Sequence, residues 1–402
     1  MKDKTGCWLV FVIPLLLVKG MNELNLKGVT MVPEGSVIPD VRKIAVLRAN
    51  ALGDFICALP ALEALRATYP RAEIVLLAKS WHQAFLRGRP GPVDRVIVIP
   101  PCAGVGMPET YQNDEEALER FFQEMARERF DLAFQIHGGG KYSNPFLLRL
   151  GARITIGLKA EDAPPLDRWL PYIFFQQEVL RYLEVASLAG AKMTVLEPRL
   201  TVTPADLAEA QRVLPEERRP LAVLHPGSGD PARRWAPERF AAVGDALYEA
   251  GARVVVTGTG SERPVVEQVI HAMRHEGYNL CDRLSIGGLA GLLTRSRVVI
   301  SNDSGPLHLA RAVGAATVGI YWCFNMMNYG PLSRLHHRPF VSWLLICPVC
   351  GVDRSQKSCD HHASFVNTIA QEDVVAAALD LFSKSLPSRD EAIVEKLVTN
   401  RK

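Results

Sequence analysis

Short apolar runs alternate along this chain with longer stretches in which apolar residues fall three and four positions apart. Lys43 to Ala49 (KIAVLRA) reads as a buried strand. It runs into Asn50-Ala51-Leu52-Gly53-Asp54, after which Ile56, Leu59, Leu62 and Leu65 share one helical face. Glu73–Ala78 and Val93–Pro100 read as the next strands. Glu115–Arg129, with Leu118, Phe121, Phe122 and Met125, reads as a helix, and Asp131–His137 as a fourth strand. ARITIGL (from Ala152) gives a fifth, and FFQQEVLRYLEVASLAGA (from Phe174) a long helix ending near Gly190.

A linker from Glu197-Pro198 to Pro204 opens a second series of the same kind. Leu221–Gly227 is a strand, Pro237–Gly251 a helix, Arg253–Gly260 a strand, and Glu262–His275 a helix. A helical LSIGGLAGLLTRS leads into the strand at Val298–Ile300, which ends in the polar turn Ser301-Asn302-Asp303-Ser304. Pro306 suits a first helical turn, Asp303 or Ser304 an N-cap, and Gly314 a helix end. Thr317–Tyr321 is the next buried strand, and a last helix, Gln371–Lys384, is expected to pack back on the first half.

Strand–helix alternation predicts parallel sheets covered on both faces, so the fold class is α/β with two Rossmann-like, doubly wound domains. The boundaries read as an extension at 1–41, a first domain at 42–200, a second at 201–386, and a mobile charged tail at 387–402.

Composition adds little until it excludes something. A net charge of +3 with no Lys/Arg block argues against a nucleic-acid partner. Eight cysteines, scattered but for one cluster, make no disulfide framework and suit a reducing cytoplasm. Near the N-terminus, Lys2 and Lys4 precede an apolar run from Gly6 to Val18, shorter than the roughly 20 residues a bilayer needs. No small-x-small cleavage site follows it. It reads as an extension upstream of a true start at Met21 or Met31; a membrane anchor and an uncleaved export signal are the alternatives.

Two facing domains of this class leave a cleft into which the strand C-termini point. Gly53 suits a tight turn there, and Asp54 either caps the following helix or faces the cleft as a general base. In HPGSGDPARRWAPERF (from His225), Ser228, Gly229 and their N–H groups can cradle phosphate oxygens that Arg233 pairs with; the plain alternative is a solvated basic turn. Gly258-Thr259-Gly260 lacks the third glycine of a dinucleotide fingerprint. Glu262 either accepts from a ribose or caps a helix. Gly138-Gly139-Gly140-Lys141 is no Walker loop, because Tyr142 follows the lysine. The turn at Asp303 and Ser304, with Gly305 opening a helix, is a seat for a phosphate or a sugar hydroxyl. His308 lies one helical turn beyond Ser304, so both can face one ligand. Cys347-x2-Cys350 with Cys359-x-His361 could hold zinc tetrahedrally, but the spacing is no standard finger, and ordinary reduced thiols are the simpler reading. A catalytic metal is not expected.

LRANALGDFICALPALEALRATYP (from Leu47), HPGSGDPARRWAPERF and SNDSGPLHLARAVGAATVGIYW (from Ser301), in this order and at these separations, resemble glycosyltransferase family 9, the ADP-heptose:lipopolysaccharide heptosyltransferases. The resemblance covers roughly residues 42 to 385. It implies a GT-B fold, with the nucleotide-sugar donor on the C-terminal domain and the acceptor on the N-terminal one. It also implies inverting, metal-independent heptose transfer to the lipopolysaccharide inner core at the cytoplasmic face of the inner membrane, with no cofactor. Asp54 then matches the catalytic base, Arg233 a phosphate ligand, and Glu262 a ribose ligand. Asp303, Ser304, Gly305 and His308 match the donor-binding turn. The loops between Pro100 and Asn113 match nothing specific, which leaves the acceptor open. A nucleotide-sugar 2-epimerase, an NAD-dependent oxidoreductase and a non-catalytic nucleotide-sugar-binding protein are the other readings.

Overall fold

The computed structural model describes residues 36–384, apart from 216 and 358. The N-terminal apolar run and the tail at 387–402 therefore lie outside the described residues.

The first lobe comprises β1 (Lys43–Leu47), α1 (Leu52–Thr68), β2 (Glu73–Ala78), α2 (Ser80–Leu86), β3 (Arg95–Val98), the two-residue pair β4 (Cys102–Ala103) and β5 (Gly106–Met107), α3 (Glu115–Glu128), β6 (Leu132–Gln135), α4 (Ser143–Leu148), β7 (Ile154–Lys159), β8 (Arg168–Pro171) and α5 (Glu178–Ser187). Its sheet is parallel throughout, in the order β3-β2-β1-β6-β7-β8. After α6 (Pro204–Val213) the pattern repeats with β9 (Leu221–His225), α7 (Pro237–Glu249), β10 (Arg253–Val256), α8 (Arg263–Ala272), β11 (Tyr278–Asn279), α9 (Ile286–Thr294), β12 (Ser296–Asn302), α10 (Gly305–Ala312), β13 (Thr317–Trp322), α11 (Cys323–Tyr329), β14 (His337–Ser342) and α12 (Gln371–Ser383). This sheet runs β11-β10-β9-β12-β13-β14, again all parallel. The two sheets share one topology. Their inner strands are buried on both faces, β9 throughout and β2 from Ile74 on, which is why both read as apolar runs and not as alternating ones. Among the described residues, no helix is long and apolar enough to cross a membrane.

Two expectations need correction. The long helix expected from Phe174 begins only at Glu178. Gln177 caps it, its side chain accepting from the N–H groups of Val179 and Leu180. Arg181 donates to the carbonyls of Ile173 and Phe174, which holds that segment off the helix axis and leaves Phe174 and Phe175 exposed. The final helix does not return to the first lobe. Val374, Ala378, Leu381 and Phe382 of α12 belong to the second lobe's core, and the helix packs on α7, β12 and β13.

Two of the contacts that join the lobes position the site. Helix α1 is apolar nearly all round because α5 and α10 cover the side that its sheet does not. The N-termini of α1 and α10 meet closely. A Cβ on Gly53 would fall 2.7 Å from Cδ2 of His308, and one on Gly305 would fall 3.0 Å from Cβ of Leu52. Gly53 is thus inside α1 and not in a tight turn; it is needed for closeness to the other lobe.

The second contact is Arg89, just beyond α2, whose guanidinium grips Asp206 of α6 with both nitrogens at 2.6 and 3.0 Å and also donates to the Thr201 carbonyl. Both side chains are almost wholly buried. Burial pushes the Asp206 carboxyl up, but hydrogen bonds from Arg89 and the Thr203 N–H outweigh it, and its pKa falls below the ordinary 3.8. Arg89→Ala would strand that carboxylate, and urea unfolding should show about 3 kcal/mol lost. Since folding lowers this pKa, the pair's contribution is at full strength above pH 3.8 and drains away as pH falls through the lowered value. The gap between wild type and Arg89→Ala should therefore narrow in strong acid.

Candidate functional site

Between the lobes lies an open cleft of about 510 Å³, into which the C-terminal ends of both sheets lead. Ala51, Gly53 and Asp54 line it from the first lobe. His225, Gly229, Asp230, Arg233, Thr259, Glu262, Asp303, Ser304, Gly305, Pro306, His308, Trp322, Asn325 and Tyr329 line it from the second.

Three segments of the second lobe are laced together behind its wall. The buried Asn302 at the end of β12 accepts from the Trp235 N–H (3.1 Å) and donates to the Pro226 carbonyl (2.7 Å). That fixes the loop from Pro226 to Trp235 against the turn that precedes α10. Asp303 follows, with its side chain 3% exposed. Its Oδ2 accepts from Arg233 at 3.1 Å, and its Oδ1 meets His308 Nε2 at 3.1 Å. On the far side of that ring, Arg311 lies 2.7 Å from Nδ1. A guanidinium can only donate, so Nδ1 accepts and the His308 proton sits on Nε2, facing Asp303. Burial, then the charge of Arg311, lowers the His308 pKa and keeps the ring neutral.

Each residue expected from the sequence can now be placed. Arg233, Glu262, Asp303, Ser304, Gly305 and His308 line one cleft together, and Asp54 faces them from the other lobe. Ser228 does not line it: its hydroxyl turns inward to the Asp303 carbonyl at 3.5 Å, and its own carbonyl takes two bonds from Arg234. Arg234 is thereby spent on the loop backbone, and Arg233 is the cation left at the cleft. His308 uses both ring nitrogens within the protein, so it positions Asp303 and offers a ligand only its ring. Glu262 accepts from Thr259 N–H and hydroxyl, both at 2.9 Å, and so braces the single 3-10 turn (Gly260–Glu262) ahead of α8; its side chain does not cap α8 itself, and the residue lines the cleft. Ser304 is the N-cap of α10, but its hydroxyl pairs with Ser301 and no side chain caps the helix. The N-terminal end of α10, with its partial positive charge, is thus turned to the cleft.

Asp54 caps its helix and also faces the cleft. Its Oδ2 accepts from the Ala51 N–H at 3.1 Å, capping α1. Its Oδ1 accepts from Arg48 at 2.9 Å and from the Tyr329 hydroxyl, across the cleft, at 3.2 Å. A carboxylate has about four acceptor positions, so a further one remains on Oδ2. Arg48 is buried and shares its charge with Glu178 at 3.6 Å; Arg181 pairs with Glu178 in turn. Burial pushes the Glu178 carboxyl up against the pull of these two arginines.

Sequence reading missed Arg48, His225, Asn325 and Tyr329. Arg48 and His225 stood inside the quoted motifs, yet nothing local marks a buried arginine at a strand end as a carboxylate's partner. His225 is buried against Thr257, its pKa lowered chiefly by burial. Asn325 and Tyr329 lie on α11, whose short, mixed sequence carries no pattern of its own.

Residues 118–338 match glycosyltransferase family 9 (heptosyltransferase). The chain is similar to lipooligosaccharide heptosyltransferase 2 of Haemophilus influenzae, 23% identical over 81% of this chain and 95% of that protein. Among solved structures, the family 9 glycosyl transferase from Veillonella parvula superposes with a TM-score of 0.71 at 22% identity, covering 86% of this chain and 98% of that one. E. coli ADP-heptose lps heptosyltransferase II gives 0.66 at 18% identity, over 85% and 98%. These two share the fold, two Rossmann-like lobes in the GT-B arrangement. A family match across more than half the chain decides the matter: this protein belongs to glycosyltransferase family 9, the heptosyltransferases.

Proposed function

We propose that the chain transfers a heptose, or a closely related sugar, from an ADP-sugar to the core of lipopolysaccharide or a similar glycan, with inversion and without a catalytic metal. The observation that carries this reading is that Asp54 of the first lobe and the Arg233–Asp303–α10 assembly of the second line one cleft, in a chain of this family. The names of its relatives, an ADP-heptose lps heptosyltransferase and lipooligosaccharide heptosyltransferases, support the donor and the acceptor class.

On this reading the second domain, from about residue 201, binds the donor. The diphosphate lies at the N-terminus of α10, beside Arg233. The adenosine ribose reaches Glu262. The acceptor lies on the first domain, residues 42–200, where its hydroxyl donates to the open position on Asp54 Oδ2. As that oxygen bonds to the anomeric carbon from the face opposite the nucleotide, its proton passes to Asp54 and the bond to the diphosphate breaks. The electron pair leaves with ADP. Charge then grows on the departing oxygen, where Arg233 and the amides of α10 are already aimed; fixed dipoles of this kind stabilise a leaving group without rearranging. Arg48 and Tyr329 hold the base in place. The exposed Ile173, Phe174 and Phe175 suit a peripheral site at the cytoplasmic face of the inner membrane, where a lipid-linked acceptor would be met.

Asp54→Asn should lower kcat about 10²–10⁴-fold with donor affinity unchanged. Near-native turnover at saturating substrates would remove Asp54 as the base. Arg233→Ala should weaken donor binding on the order of 10–100-fold, the worth of a charge-assisted bond to phosphate, when titrated calorimetrically with ADP-heptose. Initial rates should be the same after brief EDTA treatment as with added magnesium; loss of activity in EDTA would contradict the metal-free chemistry.

A further inference from the structure

No helix or strand of the described residues lies between Ser342 and Gln371, apart from an isolated bridge between Ile346 and Asp353. A stretch of this length without regular elements is uncommon inside a compact fold and calls for something to hold it. Yet it is well placed. Leu344 accepts from the Trp322 indole at 2.8 Å, the Phe365 N–H donates to the Ala232 carbonyl at 2.7 Å, and the Ser364 hydroxyl donates to the Arg234 carbonyl at 2.6 Å. The segment therefore backs the loop that carries Arg233.

Within it, one sulfur or imidazole atom from each of Cys347, Cys350, Cys359 and His361 comes within 4.8 Å of all the others. The local folding explains how. Arg354 N–H donates to the Leu345 carbonyl and Cys347 N–H to Val352, which makes a short hairpin. At its tip the Gly351 N–H donates to the Cys347 carbonyl, and Gly351 takes φ +73°, a conformation that glycine reaches without strain. The chain thus turns back directly after Cys350, leaving Cys347 and Cys350 on the same side. The second segment brings Cys359 and His361 in from across, and Arg354 donates to the Cys359 sulfur at 3.7 Å.

We propose that Cys347, Cys350, Cys359 and His361 hold one structural zinc ion. Three sulfurs and an imidazole are the soft, tetrahedral donor set that zinc takes, and all four positions are filled by protein, as in a closed structural site. Zinc–sulfur bonds of about 2.3 Å set donor atoms about 3.8 Å apart, so the observed cluster needs to contract by no more than about 1 Å. A disulfide would use two of the three sulfurs and leave the third beside the imidazole with no reason to be there. Three thiolates on a dication leave one net negative charge, which the Arg354 guanidinium faces. None of the four side chains lines the cleft, so the ion takes no part in transfer. It pins the strap behind the phosphate loop, and the proposal stands whichever sugar is moved.

The test is the metal content of the full-length protein, purified without chelators or metal-affinity resin and dialysed exhaustively. Inductively coupled plasma mass spectrometry should find one zinc per chain. Cys350→Ser and His361→Ala, both exposed positions whose replacement costs little packing, should each hold less than about a tenth of that while keeping a native far-ultraviolet spectrum. Their thermal midpoints should fall, and Cys102→Ser, buried elsewhere, should keep its full zinc. A metal-free wild type that takes up no added zinc would overturn the site. So would stoichiometric zinc retained by Cys350→Ser, or a disulfide among these cysteines in the unreduced protein. Stoichiometric iron in place of zinc would overturn the choice of ion.

Discussion

The structure depends on how one buried carboxylate, that of Asp303, is shared. Left alone at the end of β12 it would be a charge out of water with nothing to offset it, a cost of several kcal/mol. Arg233 and the Nε2–H of His308 satisfy one oxygen each, and the Ser228 hydroxyl reaches its carbonyl. Those three bonds tie the loop after β9, the turn after β12 and the first turns of α10 into a single unit. Arg233 is thereby aimed before any ligand arrives. Because His308 is also the residue against which Gly53 packs, the same unit fixes where the first lobe may sit.

Toward the cleft the second lobe presents an arginine, a helix N-terminus without a side-chain cap and the amides of a polar turn, beside the carboxylates of Asp230, Glu262 and the buried Asp303. The first presents a carboxylate whose neighbour Arg48 is itself divided between Asp54 and Glu178. The gap is narrow enough for Tyr329 of the second lobe to bond to Asp54 of the first. On the proposed reaction, groups fixed in this way would meet the departing diphosphate without rearranging.

Much of this was legible in the sequence, and the reason is local. Strands buried on both faces are continuous apolar runs, and a strand–polar turn–proline–helix succession has few other foldings, so the elements and the cleft-facing residues Asp303–Gly305 could be read directly, although Ser301 and Asn302, read as part of the turn, instead finish β12. What escaped depends on long-range contact. Tyr329 meets Asp54 across 275 residues of chain. Ser228 and His308 stand in motifs that suggest ligand contact, but the partners that claim them, Asp303 and Arg311, are apparent only once the segments are folded together. Phe174 and Phe175 continue a helical pattern, yet Arg181 holds their backbone elsewhere. The cysteine cluster shows the same limit: its spacing fits no familiar finger, while the hairpin at Gly351 brings the four side chains together regardless.

If both lobes address one bound nucleotide-sugar, a crystal structure with an unreactive ADP-heptose analogue will show it. The diphosphate is predicted within hydrogen-bonding distance of the Gly305 N–H and the Arg233 guanidinium, with the anomeric carbon turned toward Asp54. A diphosphate seated away from α10, or a sugar pointing out of the cleft with Asp54 on its far side, would contradict it.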